Sequence, residues 1–152
     1  MARRPARTRR PAPAARAGSA VTDASPCPCG HPATYGACCG RFHTGAAAPA
    51  TAEALMRSRY SAFAVRDAAY LLRTWAPATR PATLDLDTAT RWQGLEILAT
   101  TEGTAFHTTG TVTFRARHTT PAGPGEQRER SRFERHDGAW VYVDGTFPDG
   151  DA

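Results

Sequence analysis

Four cysteines stand within thirteen residues: Cys27-Pro28-Cys29 and, eight residues later, the adjacent pair Cys38-Cys39. Sulfur gathered this closely serves either a metal ion or disulfides. A tetrahedral ion such as zinc takes four thiolate or imidazole ligands at roughly 2.0 to 2.3 Å. A bridge between Cys38 and Cys39 would be strained, because their Cα atoms are about 3.8 Å apart across a trans peptide, below the roughly 4.4 Å at which relaxed disulfides begin. Crossed bridges between the two pairs stay open to geometry. They would need an oxidising compartment, and the N-terminus lacks the apolar run of a secretory signal. The expected ligand set is therefore Cys27, Cys29, Cys38 and Cys39, with zinc as the expected ion and iron as the alternative that thiolates also accept.

Other chemistry is sparse. His107, His118 and His136 lie on or beside strand-like segments with no carboxylate or nucleophile at a telling spacing. No nucleophile–base pair, glycine-rich phosphate loop or HExxH pattern occurs. Four-cysteine coordination leaves a zinc ion no open position for water, so the expected site is structural and the protein is not expected to be an enzyme on its account.

The net charge of +5 is all in residues 1–25, which carry six arginines against Asp23; the remainder holds thirteen arginines and thirteen acids. That first segment, rich in Arg, Pro and Ala, is expected to be a disordered tail. Weak electrostatic contact with RNA or another polyanion is the one function it suggests. No stretch approaches the length of apolar sequence that a membrane span requires, and a cytoplasmic location is expected.

The elements that must position the cysteines follow in order. Thr51 is placed to cap a helix through Leu55, Met56, Tyr60 and Phe63 to about Val65, and Asp67 to cap a second through Tyr70, Leu71 and Trp75. Pro77 restricts Ala76 and ends it. From Arg91 the pattern alternates. Leu95 and Ile97 begin a strand, Thr100 to Gly103 read as a turn, and Thr104 to His118 place Phe106, Val112, Phe114 and Ala116 on one face. After a loop from Thr120 to Gly125, Asp137-Gly138 marks a hairpin in which His136 faces Ala139, Arg135 faces Trp140, Phe133 faces Tyr142 and Ser131 faces Asp144. Helices first and an antiparallel meander afterward give an α+β fold with the helices on one face of a curved sheet.

The segment Cys27-Pro28-Cys29-Gly30, Tyr35 and Cys38-Cys39-Gly40 resembles the SEC-C motif, the zinc knuckle at the end of the SecA translocation ATPase. The resemblance makes the four cysteines the ligands, with Cys39 where SecA carries histidine, and assigns no role to His31 or His43. Gly30 and Gly40 permit tight turns, and Tyr35 is placed to pack over the site. Leu55 to Phe63, Tyr70-Leu71 with Thr74-Trp75, Leu95 to Leu98, Glu129 to Phe133 and Trp140 to Gly145 resemble the YchJ family of bacterial proteins. This implies an N-terminal knuckle, residues 26–45, ahead of a cystatin-like cone of the nuclear transport factor 2 type, residues 46–148. Some relatives carry a second knuckle; residues up to Ala152 offer no further cysteine, so bivalent use of two is not expected.

Cones of this kind often hold a cup, as in ketosteroid isomerase and scytalone dehydratase. The residues that could line it, or form a structural pair locking the first helix to the sheet, are Arg59, Tyr60, Glu129, Trp140 and Asp144. Arg59 is expected to turn partly inward and pair with Glu129 or Asp144. Trp75, Trp92, Trp140 and Tyr142 read more simply as core. The resemblance to SecA, whose knuckle contacts a chaperone and the ribosome, makes an adaptor binding a protein or ribonucleoprotein partner the preferred function. Small-molecule binding, or isomerase or dehydratase chemistry in the cup, is the alternative.

Overall fold

The computed structural model describes residues 20–147. The expectation of a disordered tail falls almost wholly outside them. Three helices precede four strands: α1 Cys39–His43, α2 Ala52–Val65, α3 Ala68–Arg73, β1 Arg91–Glu102, β2 Thr109–Thr120, β3 Gly123–His136 and β4 Ala139–Thr146. The strands form one antiparallel sheet in sequence order. The helices cover one face, on which Val112, Phe114, Phe133 and Trp140 are buried with Leu55, Met56 and Tyr60 of α2. The opposite face is charged, with Arg115 bound to Glu96 at 2.9 Å and Arg132 to Asp144 at 2.6 Å.

Local chemistry sets the element ends. The Thr51 hydroxyl accepts from the Ala54 N–H at 3.0 Å, Arg66 closes α2 in the left-handed region, and the Asp67 carboxylate caps α3 through the Tyr70 N–H. The second helix stops at Arg73, short of the predicted Trp75. The main chain of Tyr142 captures this segment instead, donating to the Thr74 carbonyl at 2.8 Å and accepting from the Ala76 N–H at 2.7 Å. Residue 75 is thereby drawn into a bridge with β4.

The sheet departs from the expected pattern at three places. β1 runs through Thr100 and Thr101 to Glu102, and the chain reverses through Glu102 and Gly103, both at positive φ. Phe106 is consequently in a loop and 95 % exposed rather than on the inner face of a strand. The loop between β2 and β3 is also shorter than Thr120 to Gly125, because pairing resumes at Thr120–Gly123. Pro124 is accommodated there because β4 covers only Arg130–His136 of β3, leaving its first half an edge that needs no N–H donor.

The Asp137-Gly138 turn has φ of 53° and 86°, as a type I′ hairpin requires, and the pairs His136–Ala139, Arg135–Trp140 and Phe133–Tyr142 form as predicted. Ser131, however, faces Gly145 and Arg132 faces Asp144, because a bulge intervenes at Val143. In an unbroken strand Tyr142 and Asp144 would share the inner face. The bulge turns Asp144 out to Arg132 and brings Gly145 beside Glu129, where a Cβ would lie 1.9 Å from the carboxylate.

Gly103 ties the helices to the sheet, its carbonyl accepting from the Ala52 N–H at 2.9 Å and its N–H donating to Thr109. A Cβ on Gly110 would come within 2.4 Å of the Gly103 Cα, and backbone cannot yield as a flexible side chain can. Gly110→Ala is expected to destabilise the protein by ~2 to 4 kcal/mol, read as a lowered urea midpoint at unchanged slope. A loss below ~0.5 kcal/mol would contradict this close packing.

Candidate metal centre

A short ribbon and a one-turn helix bring the four sulfurs together. Residues 25–27 and 33–35 pair through Cys27 N–H to Ala33 O at 3.1 Å and Tyr35 N–H to Ser25 O at 2.8 Å. Between them the chain turns tightly, with Gly30 N–H donating to Cys27 O and Gly30 at φ 87°. The Tyr35 carbonyl then accepts from the N–H groups of both Cys38 and Gly40, which starts α1. Gly40 is required because a Cβ there would meet that carbonyl at 2.8 Å.

The sulfurs of Cys27, Cys29, Cys38 and Cys39 all lie within 4.8 Å of one another, and all four cysteines are free. The Cys29–Cys38 separation is 3.7 Å. A tetrahedron with metal–sulfur bonds of about 2.3 Å has edges of about 3.8 Å, so the cluster has the size of such a shell. The His31 N–H donates to Cys29 Sγ at 3.4 Å, and the Ser61 hydroxyl of α2 lies 3.7 Å from Cys27 Sγ, two polar contacts that suit sulfur carrying negative charge.

Among themselves the thiols compete for protons. Sulfhydryl hydrogen bonds from Cys29 and then Cys39 hold the Cys27 thiol far below its usual range. Burial, followed by the bond to Cys27, pushes Cys38 up to about 12, and hydrogen bonds to Cys27 and Cys29 push Cys39 far up. A divalent cation among the sulfurs reverses this balance, since all four can then be thiolates at once. The donor set thus fits a thiophilic ion with a closed shell.

Neither nearby histidine joins the sulfurs. His31 is exposed. His43 is buried at the C-terminal end of α1, where Nε2 donates to the Ser58 carbonyl at 2.8 Å and Nδ1 accepts from the Tyr35 hydroxyl. With both ring nitrogens engaged, His43 is a bolt between knuckle and helix. The sequence shows nothing of this role, because its partner Ser58 lies fifteen residues away. Arg57 adds a second bolt, donating to the Cys29 carbonyl at 3.0 Å.

The knuckle is continuous with the rest of the core. Cys27, Cys29 and Cys39 belong to the same buried cluster as Leu55, Met56 and Tyr60, while Phe42 packs with Ala62, Tyr70 and Leu71.

The five residues considered for a cup or structural pair separate. Arg59 and Glu129 line one cavity of about 100 Å³ between α2 and the sheet. Among the described residues Arg59 forms no carboxylate pair. Its Nη1 donates to the Leu71 carbonyl and the Thr74 hydroxyl, both at 2.8 Å, and its Cζ lies over the Tyr142 ring at 4.6 Å and the Trp75 ring at 5.1 Å. Glu129 is instead held by Ser131 at 2.9 Å, Tyr142 at 3.0 Å and Gln127 at 3.2 Å. Asp144 is outside with Arg132, whose guanidinium lowers its carboxyl below the usual range. Tyr60 packs edge-on to Trp92, and Trp140 donates to the Ala50 carbonyl under Arg135. Trp75 and Tyr142, read as core from sequence, are cavity walls, as are Gln127 and Ser131, which alternation alone could not distinguish from other polar strand residues.

A cysteine knuckle set on a helix-covered antiparallel sheet is the architecture of SEC-C motif proteins with an NTF2-like domain. The profile of the YchJ middle NTF2-like domain matches residues 51–145, and the chain belongs to this family. A UPF0225 protein of Streptomyces coelicolor is 67 % identical over 124 residues, covering 82 % of this chain and 97 % of that one. A UPF0225 protein of Corynebacterium glutamicum is 53 % identical over 119 residues, covering 78 % and 94 %. The solution structure of a SEC-C motif containing protein from Rhodopseudomonas palustris superposes with a TM-score of 0.71 at 33 % identity, covering 81 % of this chain and 98 % of that one. The crystal structure of a SEC-C motif containing protein from Psychrobacter arcticus gives 0.69 at 30 % identity, covering 83 % and 84 %. Among the described residues no helix is long and apolar enough to cross a membrane.

Two outcomes are expected. Cys29→Ser should abolish stoichiometric metal and, because the knuckle shares its core with α2, cost the whole chain ~3 to 5 kcal/mol, read as a fall of ~10 °C or more in one melting transition. His43→Gln should keep the metal, measured by elemental analysis, and lose ~1 to 2 kcal/mol from its broken hydrogen bonds. Loss of metal in the histidine variant would make His43 a ligand. Calorimetry at pH 7 should also show proton release on metal binding, since the raised Cys38 and Cys39 thiols hold their protons there until the ion displaces them.

Proposed function

We propose that the protein is a zinc-binding SEC-C protein that works as a non-enzymatic adaptor, its knuckle presenting a surface to a protein or ribonucleoprotein partner. The observation that carries this reading is the convergence on one point of four sulfurs and, among the described residues, no other donor. A closed sulfur shell has no site for a reacting water and acts by fixing the backbone around it. What it fixes here is a projecting turn. His31 and Arg41 are exposed and Cys38 is partly so, beside a surface depression of about 420 Å³ that Phe42 and Arg57 also line. Glu53 offsets Arg57 at 3.1 Å, which leaves Arg41 as the unpaired cation there among the described residues.

Cysteines used as metal ligands rather than disulfides suit a reducing compartment, and the proposed location is cytoplasmic. Iron is the competing ion, since thiolates bind both. The arginines of residues 1–25 would add a weak, salt-sensitive contact to a polyanionic partner.

Elemental analysis of protein purified without a histidine tag is expected to give about one zinc per chain. Co-purification from native lysate should yield a partner that is lost with Cys29→Ser and Cys38→Ser but retained by Arg59→Lys, whose change lies in the cavity on the other side of α2. A partner retained by both cysteine variants would overturn the adaptor reading. Stoichiometric iron would reassign the ion.

A further inference from the structure

We propose that the cavity between α2, the Trp75 segment and the sheet binds a small monocarboxylate with a compact apolar body, a function separate from that of the knuckle. Arg59 carries the inference. It is 4 % exposed, and no carboxylate among the described residues lies within salt-bridge reach of it. Both of its hydrogen bonds leave from Nη1, and the Trp75 and Tyr142 rings, their centroids 5.2 Å apart, pack together on one side of its Cζ. What remains is the edge formed by Nε and Nη2, whose two parallel N–H groups match the two oxygens of a carboxylate.

The other polar groups confirm an excess of donors. Glu129 already accepts from Ser131, Tyr142 and Gln127, so its charge is dispersed over partners of its own. The Trp75 indole N–H is buried and has no partner among the described residues, which is rare for such a group. The remaining walls are Met56, Phe63 and Phe114. A ligand that completes this site brings acceptors to Arg59 and an apolar body to those three side chains. A volume of about 100 Å³ is two-thirds of the ~150 Å³ that holds benzene in an engineered cavity, which limits the ligand to about four to six non-hydrogen atoms. Glu129 in the same cavity disfavours a second negative charge on it.

The test uses the full, metal-replete chain with isobutyrate and propionate as probes, isobutyramide and propionamide as neutral isosteres, and sodium chloride to match ionic strength. Each acid is expected to shift the Trp75 indole N–H resonance saturably and to raise the melting temperature by about 3 °C or more at ten times its dissociation constant. The amides should do neither. Arg59→Lys, which keeps the charge but loses the fork, should weaken binding about 10-fold. Trp75→Phe keeps the aromatic wall and the fold and should also weaken binding, by about 5-fold. No saturable response to either acid up to about 50 mM, where affinity would be too weak to matter, would overturn the proposal. So would an equal response to the amides, or binding undiminished in both variants.

Discussion

Helix α2 is a partition with a packed surface on each side, and the close approach of the knuckle to it is the constraint on which the rest of the structure depends. Ser58, Ser61 and Ala62 are wholly buried, and their small size lets the sulfurs, His43 and Phe42 come down to the helix backbone. On the opposite side Met56, Arg59 and Phe63 face the sheet. A helix so enclosed cannot be stable alone, since its stability comes from burying both sides. The sulfur site and the sheet therefore hold each other in place through fourteen residues of helix.

Electrostatics divides the molecule in the same way. On the knuckle side the polar atoms are four sulfurs, which as thiolates would call for a cation, and Cys29 and Cys27 among them are backed by N–H and O–H donors. On the sheet side the buried charges are Arg59 and Glu129, each bonded to neutral partners, with the Nε and Nη2 edge of Arg59 left open. Burial lowers the Arg59 guanidinium to about 10, so it stays charged at neutral pH, stabilised by two aromatic faces and a carbonyl. Buried ions of this kind are poor contributors to stability, which suits a cation retained for what it binds.

Much of this was legible in the residues. The cysteine spacing announced a compact sulfur cluster because ligands near in sequence need little chain closure, and the Thr51 and Asp67 caps and the Asp137-Gly138 turn are each decided within four residues. Long-range choices were not legible. The bulge at Val143 answers to the space that Glu129 requires beside Gly145, and the end of α3 to the main chain of Tyr142. Arg59 was expected beside a carboxylate because charge complementarity is the simplest pairing, but carbonyl, hydroxyl and ring faces took that place. Phe106 followed the alternation numerically while lying beyond the strand that would have given it a meaning.

The last strand has a further consequence. Each sheet pairing joins neighbours in sequence, so the ribbon can zip locally from β1 onward. Yet β4 also reaches far back, through Trp140 to Ala50 and through Tyr142 to Thr74 and Ala76. During synthesis nothing can close the Trp75 side of the molecule until residues 139–146 have left the ribosome, and the nascent chain must travel with that flank open. The C-terminal hairpin is in this sense the latch of the fold, and its rapid type I′ turn shortens the time for which the interior is exposed to the wrong neighbours.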